Sequence, residues 1–165
     1  MWYGTNKKRL QGAEPRRQVV LGLGSSHGDD QFGWTVIDEL MQGDASDSLR
    51  KIRSPIDIVT WLDVDADIHI VDAVVGLPAN VSLWRLDFAN PDHRAQIQTI
   101  PAQGTHNLDL YEVLLIAESL GKSTDQVVLW LGRAETLEPI QSISPITRVA
   151  VGVCSTALKR RLQAS

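Results

Sequence analysis

Three places in this chain carry side chains suited to holding a cation or moving a proton. The first is the acidic pair in Leu21-Gly22-Leu23-Gly24-Ser25-Ser26-His27-Gly28-Asp29-Asp30-Gln31-Phe32-Gly33. An apolar run ends there in glycines, and a helical pattern follows at once. The turn sets the carboxylates between the carboxyl end of a strand and the amino end of a helix, where open α/β sheets keep their working sites. The second is Asp72, in Ile70-Val71-Asp72-Ala73. A carboxylate closing a buried strand is costly unless it is paired, hydrogen-bonded or bound to a cation. The third is His106, in Gly104-Thr105-His106-Asn107. An imidazole ahead of a helix can ligate a metal while a backbone partner fixes its tautomer.

Each place also has a plainer reading, as an acidic first helical turn, a turn acceptor or a polar surface group. Together they weigh more. In a parallel sheet the carboxyl ends share one edge, so Asp30, Asp72 and His106 can converge. Two carboxylates and one imidazole suit a borderline divalent ion with open positions. His27 and Asp29 are candidates to support those ligands from behind.

Other chemistries fit less well. The spacing Gly22-x-Gly24-x-x-x-Gly28 misses the dinucleotide fingerprint by one residue, and no Gly-Lys-Ser/Thr of a P-loop follows. Two carboxylates at a helix mouth would also repel a phosphate. There is no Gly-x-Ser-x-Gly elbow and no His-Glu-x-x-His helix. Cys154 falls on an apolar stripe and reads as a core thiol rather than a nucleophile. His69 is left out of the site, and His93 reads as a solvated loop residue. Trp34, Trp61, Trp84 and Trp130 read as packing groups.

The elements that must position these residues alternate along the chain. Residues 18–23 form a continuous apolar run, as in a strand buried on both faces. A helix is expected over 32–41, with Phe32, Val36, Ile37 and Leu40 on one side. A turn over 43–48 leads to a short strand at 49–52. Ser54-Pro55 opens a helix through residue 62, against the β-branched residues Ile56, Ile58, Val59 and Thr60. Strands are expected at 68–71, 81–86 and 127–131, and a loop over 88–105. Asn107 caps a helix that Gly121 ends. Ser144-Pro145 opens a last helix, with Ile146, Val149, Ala150, Val153, Cys154, Ala157 and Leu158 as its buried stripe. This order predicts an α/β fold: a three-layer α/β/α sandwich around a mostly parallel twisted sheet of about five strands.

At 165 residues the chain reads as a basic tail over 1–17 followed by one domain over 18–165. A net charge of −4 gives no basic surplus for nucleic acid. One cysteine rules out an internal disulfide and suits the cytoplasm, and no apolar run approaches the ~20 residues of a membrane span.

These motifs resemble those of the hydrogenase maturation proteases, whose domain is of the phosphorylase/hydrolase-like kind. The markers are Gly22-Leu23-Gly24, Gly28-Asp29-Asp30-Gln31-Phe32-Gly33, Ile70-Val71-Asp72-Ala73-Val74, Thr105-His106-Asn107-Leu108 leading to Ala117-Glu118-Ser119-Leu120-Gly121, and Ser144-Pro145. They run in that order from about residue 19 to about residue 162. The resemblance implies an aspartic-type endopeptidase that removes the carboxyl-terminal extension of a nickel–iron hydrogenase large-subunit precursor. It implies a metal site of Asp30, Asp72 and His106 that senses nickel already inserted in that precursor, other divalent ions being able to substitute. Asp30 or Asp72 would act as general base on a water, with metal polarisation helping. The chain departs from the common pattern in having Ser25 for an asparagine, Gln31 for a glycine and a turn one residue shorter. Those departures leave two other readings open: a hydrolase with a different substrate, or a binding module that senses metal in the precursor without cutting it.

Overall fold

The computed structural model describes residues 16–42, 46–101, 109–139 and 142–164. In chain order the elements are β1 (Gln18–Leu23), α1 (Phe32–Met41), β2 (Leu49–Ile52), β3 (Asp67–Val74), β4 (Leu83–Asp87), α2 (Pro91–Ile97), α3 (Leu110–Ser119), β5 (Val127–Arg133) and α4 (Pro145–Gln163). Two 3-10 turns, Gly28–Gln31 and Pro55–Trp61, complete them. The strands form one sheet in the order β2-β1-β3-β5-β4. All pairs are parallel except β4 with β5, where Leu83 faces Gly132 and Asp87 faces Val128.

The side-chain period of two along a strand sorts the core into two layers. Val19, Leu21, Ile68, Ile70, Leu129 and Leu131 meet the Pro55–Trp61 turn, α2 and α3 on one face. Val20, Val71, Ala73, Val128 and Trp130 meet α1 and α4 on the other. The sandwich of three layers and five strands is therefore the architecture that the alternation of elements predicts. No helix among the described residues is long and apolar enough to cross a membrane.

Four local expectations change. Residues 88–105 are not all loop, since Pro91–Ile97 is helical. Asn90 caps it, its side chain accepting from the N–H groups of Asp92 (2.9 Å) and His93 (3.4 Å), with Pro91 at the first helical position. The expected cap Asn107 lies outside the described residues. Asp109 caps α3 instead, accepting from Glu112 N–H at 2.8 Å. The segment behind Ser54-Pro55 is helical but winds as a 3-10 turn, closed by a capping box between Ser54 and Asp57.

The fourth change is the buried stripe of α4. It consists of Thr147, Ala150, Val151, Cys154, Ser155 and Leu158, while Val149 and Val153 are 59% and 46% exposed. Hydroxyl bonds fix that rotation. Ser155 Oγ donates to Glu39 on α1 (2.5 Å), and the Thr147 hydroxyl is hydrogen-bonded to the Ser144 hydroxyl (3.0 Å). A polar residue with a bonded partner counts as interior here, which an apolar stripe cannot register.

One buried network at the amino end of β3 involves His69, which is wholly buried. Trp130 Nε1–H donates to its Nδ1 (3.0 Å), and its Nε2 bonds Gln18 Oε1 (2.8 Å). Indole nitrogen is only a donor, so the ring carries its proton on Nε2. Gln18 in turn donates to Asp67 (2.9 Å), which Arg16 also reaches. Burial, more than the nearby charge of Arg161, lowers the His69 pKa from 6.5 to about 4. The unfolded chain thus binds this proton more readily than the folded one. The stabilising effect is complete above pH 6.5 and is lost as pH falls toward 4. Between pH 7 and pH 5 the urea-unfolding free energy should drop by about 2 kcal/mol from this residue alone, and His69→Gln should remove that part of the slope.

Candidate functional site

The glycine loop is shaped by a close approach of backbone to backbone. A Cβ on Gly24, whose φ is +150°, would lie 2.1 Å from the Asp30 carbonyl oxygen. That carbonyl accepts from Ser25 N–H (3.1 Å), and Gly24 N–H donates to the last carbonyl of β2, on Ile52 (3.2 Å). A Cβ on Gly33 would meet the carbonyls of Leu23 (2.2 Å) and Val71 (2.6 Å). Only glycine there lets the first turn of α1 press against β1 and β3. Between them the chain winds one 3-10 turn, in which successive residues point about 120° apart. Asp29 and Asp30 therefore face different surroundings.

Asp29 points inward and is wholly buried. It accepts from Glu135 N–H (2.7 Å), Thr136 N–H (3.4 Å), Ser144 N–H (2.6 Å) and Ser144 Oγ–H (2.9 Å). Burial opposes its charge, but the Ser144 and Glu135 backbone bonds and the Ser144 hydroxyl outweigh it and lower the pKa. Asp29 is thus a tie between the glycine loop and the connection from β5 to α4. Its partners lie on that connection and, through Thr147, at the start of α4, rather than among the candidate metal ligands. His27, the other expected support, is exposed.

Asp30 and Asp72 face one cleft. It has a volume of about 680 Å³ and an apolar floor that includes Leu23, Leu110, Leu129 and Leu131. Asp72 lies opposite Leu131 in the sheet, and its Oδ1 accepts from Ala73 N–H at 2.9 Å. Burial raises its pKa to about 8, and the charges of Asp30 and then Asp109 push the same way against that one bond. At neutral pH the pair therefore holds one negative charge more readily than two. A divalent cation would relieve the same repulsion, so the donor set fits one. His106 lies outside the described residues. Among the described residues no three His, Cys, Asp or Glu side chains form a cluster that could hold a metal.

The remaining candidates fall elsewhere. His93 is not a solvated loop residue, because it sits on α2 and its Nδ1 accepts from Asp87 N–H at 2.9 Å. Cys154 is buried in the core, and burial pushes its thiol well above the ordinary range. The cleft adds residues not singled out from the sequence: Arg53, Asp109, Tyr111 and Glu112. Arg53 had a signal, since it stands directly after β2 on the edge that carries Asp30. The two acids had another, at the start of a helix leaving that edge.

No family model matches the chain, and no curated protein does. Solved structures do match in fold. A NiFe hydrogenase maturation protease, HycI, from Thermococcus kodakarensis aligns over 91% of this chain and 95% of its own, at 18% identity and a TM-score of 0.66. The hydrogenase maturating endopeptidase HybD from E. coli aligns over 90% and 93%, at 18% identity and a TM-score of 0.63. A hydrogenase 2 maturation peptidase from a Thaumarchaeota archaeon aligns over 88% and 97%, at 23% identity and a TM-score of 0.54. The fold of this chain is the one those proteases share.

Asp29 and Asp72 should separate in a stability measurement at pH 7 with chelator present. Asp29→Asn places an NH₂ against donors and should cost about 2 kcal/mol or more. Asp72 behaves oppositely. Its folded pKa lies above the unfolded one, so its charge opposes folding at every pH above about 4. Asp72→Asn keeps an acceptor for Ala73 N–H and should raise the unfolding free energy by about 1 kcal/mol or more.

Proposed function

We propose that this protein is an endopeptidase that removes the carboxyl-terminal extension of a nickel–iron hydrogenase large-subunit precursor after nickel insertion. The observation that carries the reading is the placement of Asp30 and Asp72 on one cleft at the carboxyl edge of the sheet, in a fold shared with hydrogenase maturation proteases. An extended segment of precursor would lie in that cleft, its apolar side chains against Leu110 and Leu131.

The electrostatics divide the work. Asp72, pushed up to about 8, is the carboxyl that keeps a proton near neutral pH in the free protein and would release it to hold a cation. Asp30 is the base. It takes a proton from a water as that water adds to the scissile carbonyl carbon. That proton then passes from Asp30 to the departing amine nitrogen as the carbon–nitrogen bond breaks. A carboxylate that takes a proton from water and returns it to the leaving group serves as base and then as acid.

Nickel enters as part of the substrate. Asp30, Asp72 and His106 are the residues that would hold it, and its charge would neutralise a pair that otherwise needs a proton. A precursor that carries nickel would then bind more tightly than one without it. The same reading puts the reaction in the cytoplasm, the compartment that a lone reduced cysteine suits.

Intact-mass analysis of a precursor co-expressed with this protein tests the reading. A discrete mass loss is expected in nickel-replete cells and none in nickel-starved cells. Asp30→Asn and Asp72→Asn should each slow processing by about 100-fold or more. An unchanged mass with nickel present and a stable complex formed would favour the binding module. Cleavage of generic peptides without any nickel-loaded partner would favour a hydrolase of different substrate.

A further inference from the structure

The sheet edge that carries the two carboxylates also carries a cation that the proposed chemistry leaves unused. Arg53 follows Ile52, the last residue of β2, and its side chain lines the cleft. It is the one basic side chain among the described lining residues, against Asp30, Asp72, Asp109 and Glu112. A guanidinium in such company ordinarily folds onto the nearest carboxylate. Arg53 makes no ion pair or hydrogen bond with any described residue. Its guanidinium carbon lies 5.2 Å from the centroid of the Trp34 ring instead.

Trp34 is fixed for that purpose. Its Nε1–H donates to Ile52 O at 3.0 Å, so the indole is pinned to the residue that precedes Arg53. Lys51 approaches the same ring at 5.6 Å but is tied to Asp38 at 2.6 Å. Of the two cations on the indole, one is neutralised and the other keeps its donors free. Stacking holds a guanidinium by its face and leaves its in-plane N–H groups for a carboxylate.

Strand spacing gives the reach. β1 separates β2 from β3, so Arg53 stands two strands from Asp72. That is about 10 Å across the sheet, the length of about three residues of extended peptide. Acidic groups elsewhere in the cleft would repel a second carboxylate, so one cation at one end fixes where an anionic part of a ligand can go.

We propose that Arg53 is a specificity-determining residue that takes a carboxylate of the bound peptide, within about three residues of the bond set between Asp30 and Asp72. The carboxylate is an acidic side chain or the chain terminus. The inference rests on the peptidase reading for the peptide's place in the cleft, and its test reads binding rather than cleavage.

The probes are dodecapeptides of Gly, Ala and Val in which Asp, Asn or Lys is walked through each position, with the terminus free or amidated. The full chain is labelled with ¹⁵N, and the Trp34 indole signal is assigned by its loss in Trp34→Phe. One Asp position, or the free terminus, should bind about tenfold tighter than its neutral counterpart and shift the Trp34 signal. Arg53→Gln should abolish the preference, Arg53→Lys should keep part of it, and Arg53→Glu should turn it toward Lys. A preference lost on amidation identifies the terminus, and one lost on Asp→Asn identifies a side chain. Equal binding of charged and neutral peptides, binding of none, or an Asp preference that survives Arg53→Glu overturns the assignment. Precursor cleavage can fail while this preference holds, and the reverse, so the two failures are distinct.

Discussion

A wholly buried carboxylate is tolerable only when its oxygens are fully bonded, and Asp29 meets that condition with four donors from the β5–α4 connection. The rest of the site depends on this tie. It fixes the rotation of the 3-10 turn, and the turn then delivers Asp30 to the cleft. It also seats Ser144, which caps α4 and thereby sets the face that α4 turns toward α1. Glycines at 24 and 33 are the other half of the constraint, since they let the turn and α1 lie close enough for the tie to form.

With that scaffold in place, the working pair can be unfavourable. Asp72 has one oxygen bonded to Ala73 N–H and a like charge close by. Alone, such a group weakens the fold, and the well-bonded Asp29 beside the loop offsets it. Asp29 and Asp72 thus hold opposite positions in the energetics. One carboxylate is satisfied and stabilises; the other keeps an unmet demand for a proton or a cation. Under the function proposed above, nickel in the precursor would meet that demand.

The sheet and the cleft edge were legible because strands buried on both faces read as plain apolar runs, as in 18–23 and 127–131. Asp30 and Asp72 were legible because their places at strand ends follow from the same runs. What escaped the pattern was set by side-chain bonds. The Asn90-Pro91 opening of α2 is as good a start as Ser144-Pro145, but its seven residues are too few to show a period. The face of α4 was misjudged because Thr147 and Ser155 are interior by virtue of bonded hydroxyls, leaving Val149 and Val153 outside. The roles of Asp29 and Asp30 could not be separated from sequence, since only the partners of a carboxylate distinguish a tie from a reactive group.

β3 shows how that distinction works on a single strand. His69 and Asp72 are both driven toward their neutral forms, and burial is the main cause for each. A shifted pKa therefore does not tell them apart. Their valences do. His69 has both ring nitrogens engaged, by Trp130 and Gln18, and it faces α1 and α4 with no route to solvent. Asp72 turns to the opposite face and opens on a cleft that it shares with Asp30 and Arg53. No buried side-chain nitrogen or oxygen among the described residues lacks a partner. Where the interior is so fully satisfied, polar groups with capacity to spare are those on the cleft. Asp30, Asp72 and the stacked Arg53 lie along one row of strand ends, two acids and a cation spaced as an extended peptide would meet them.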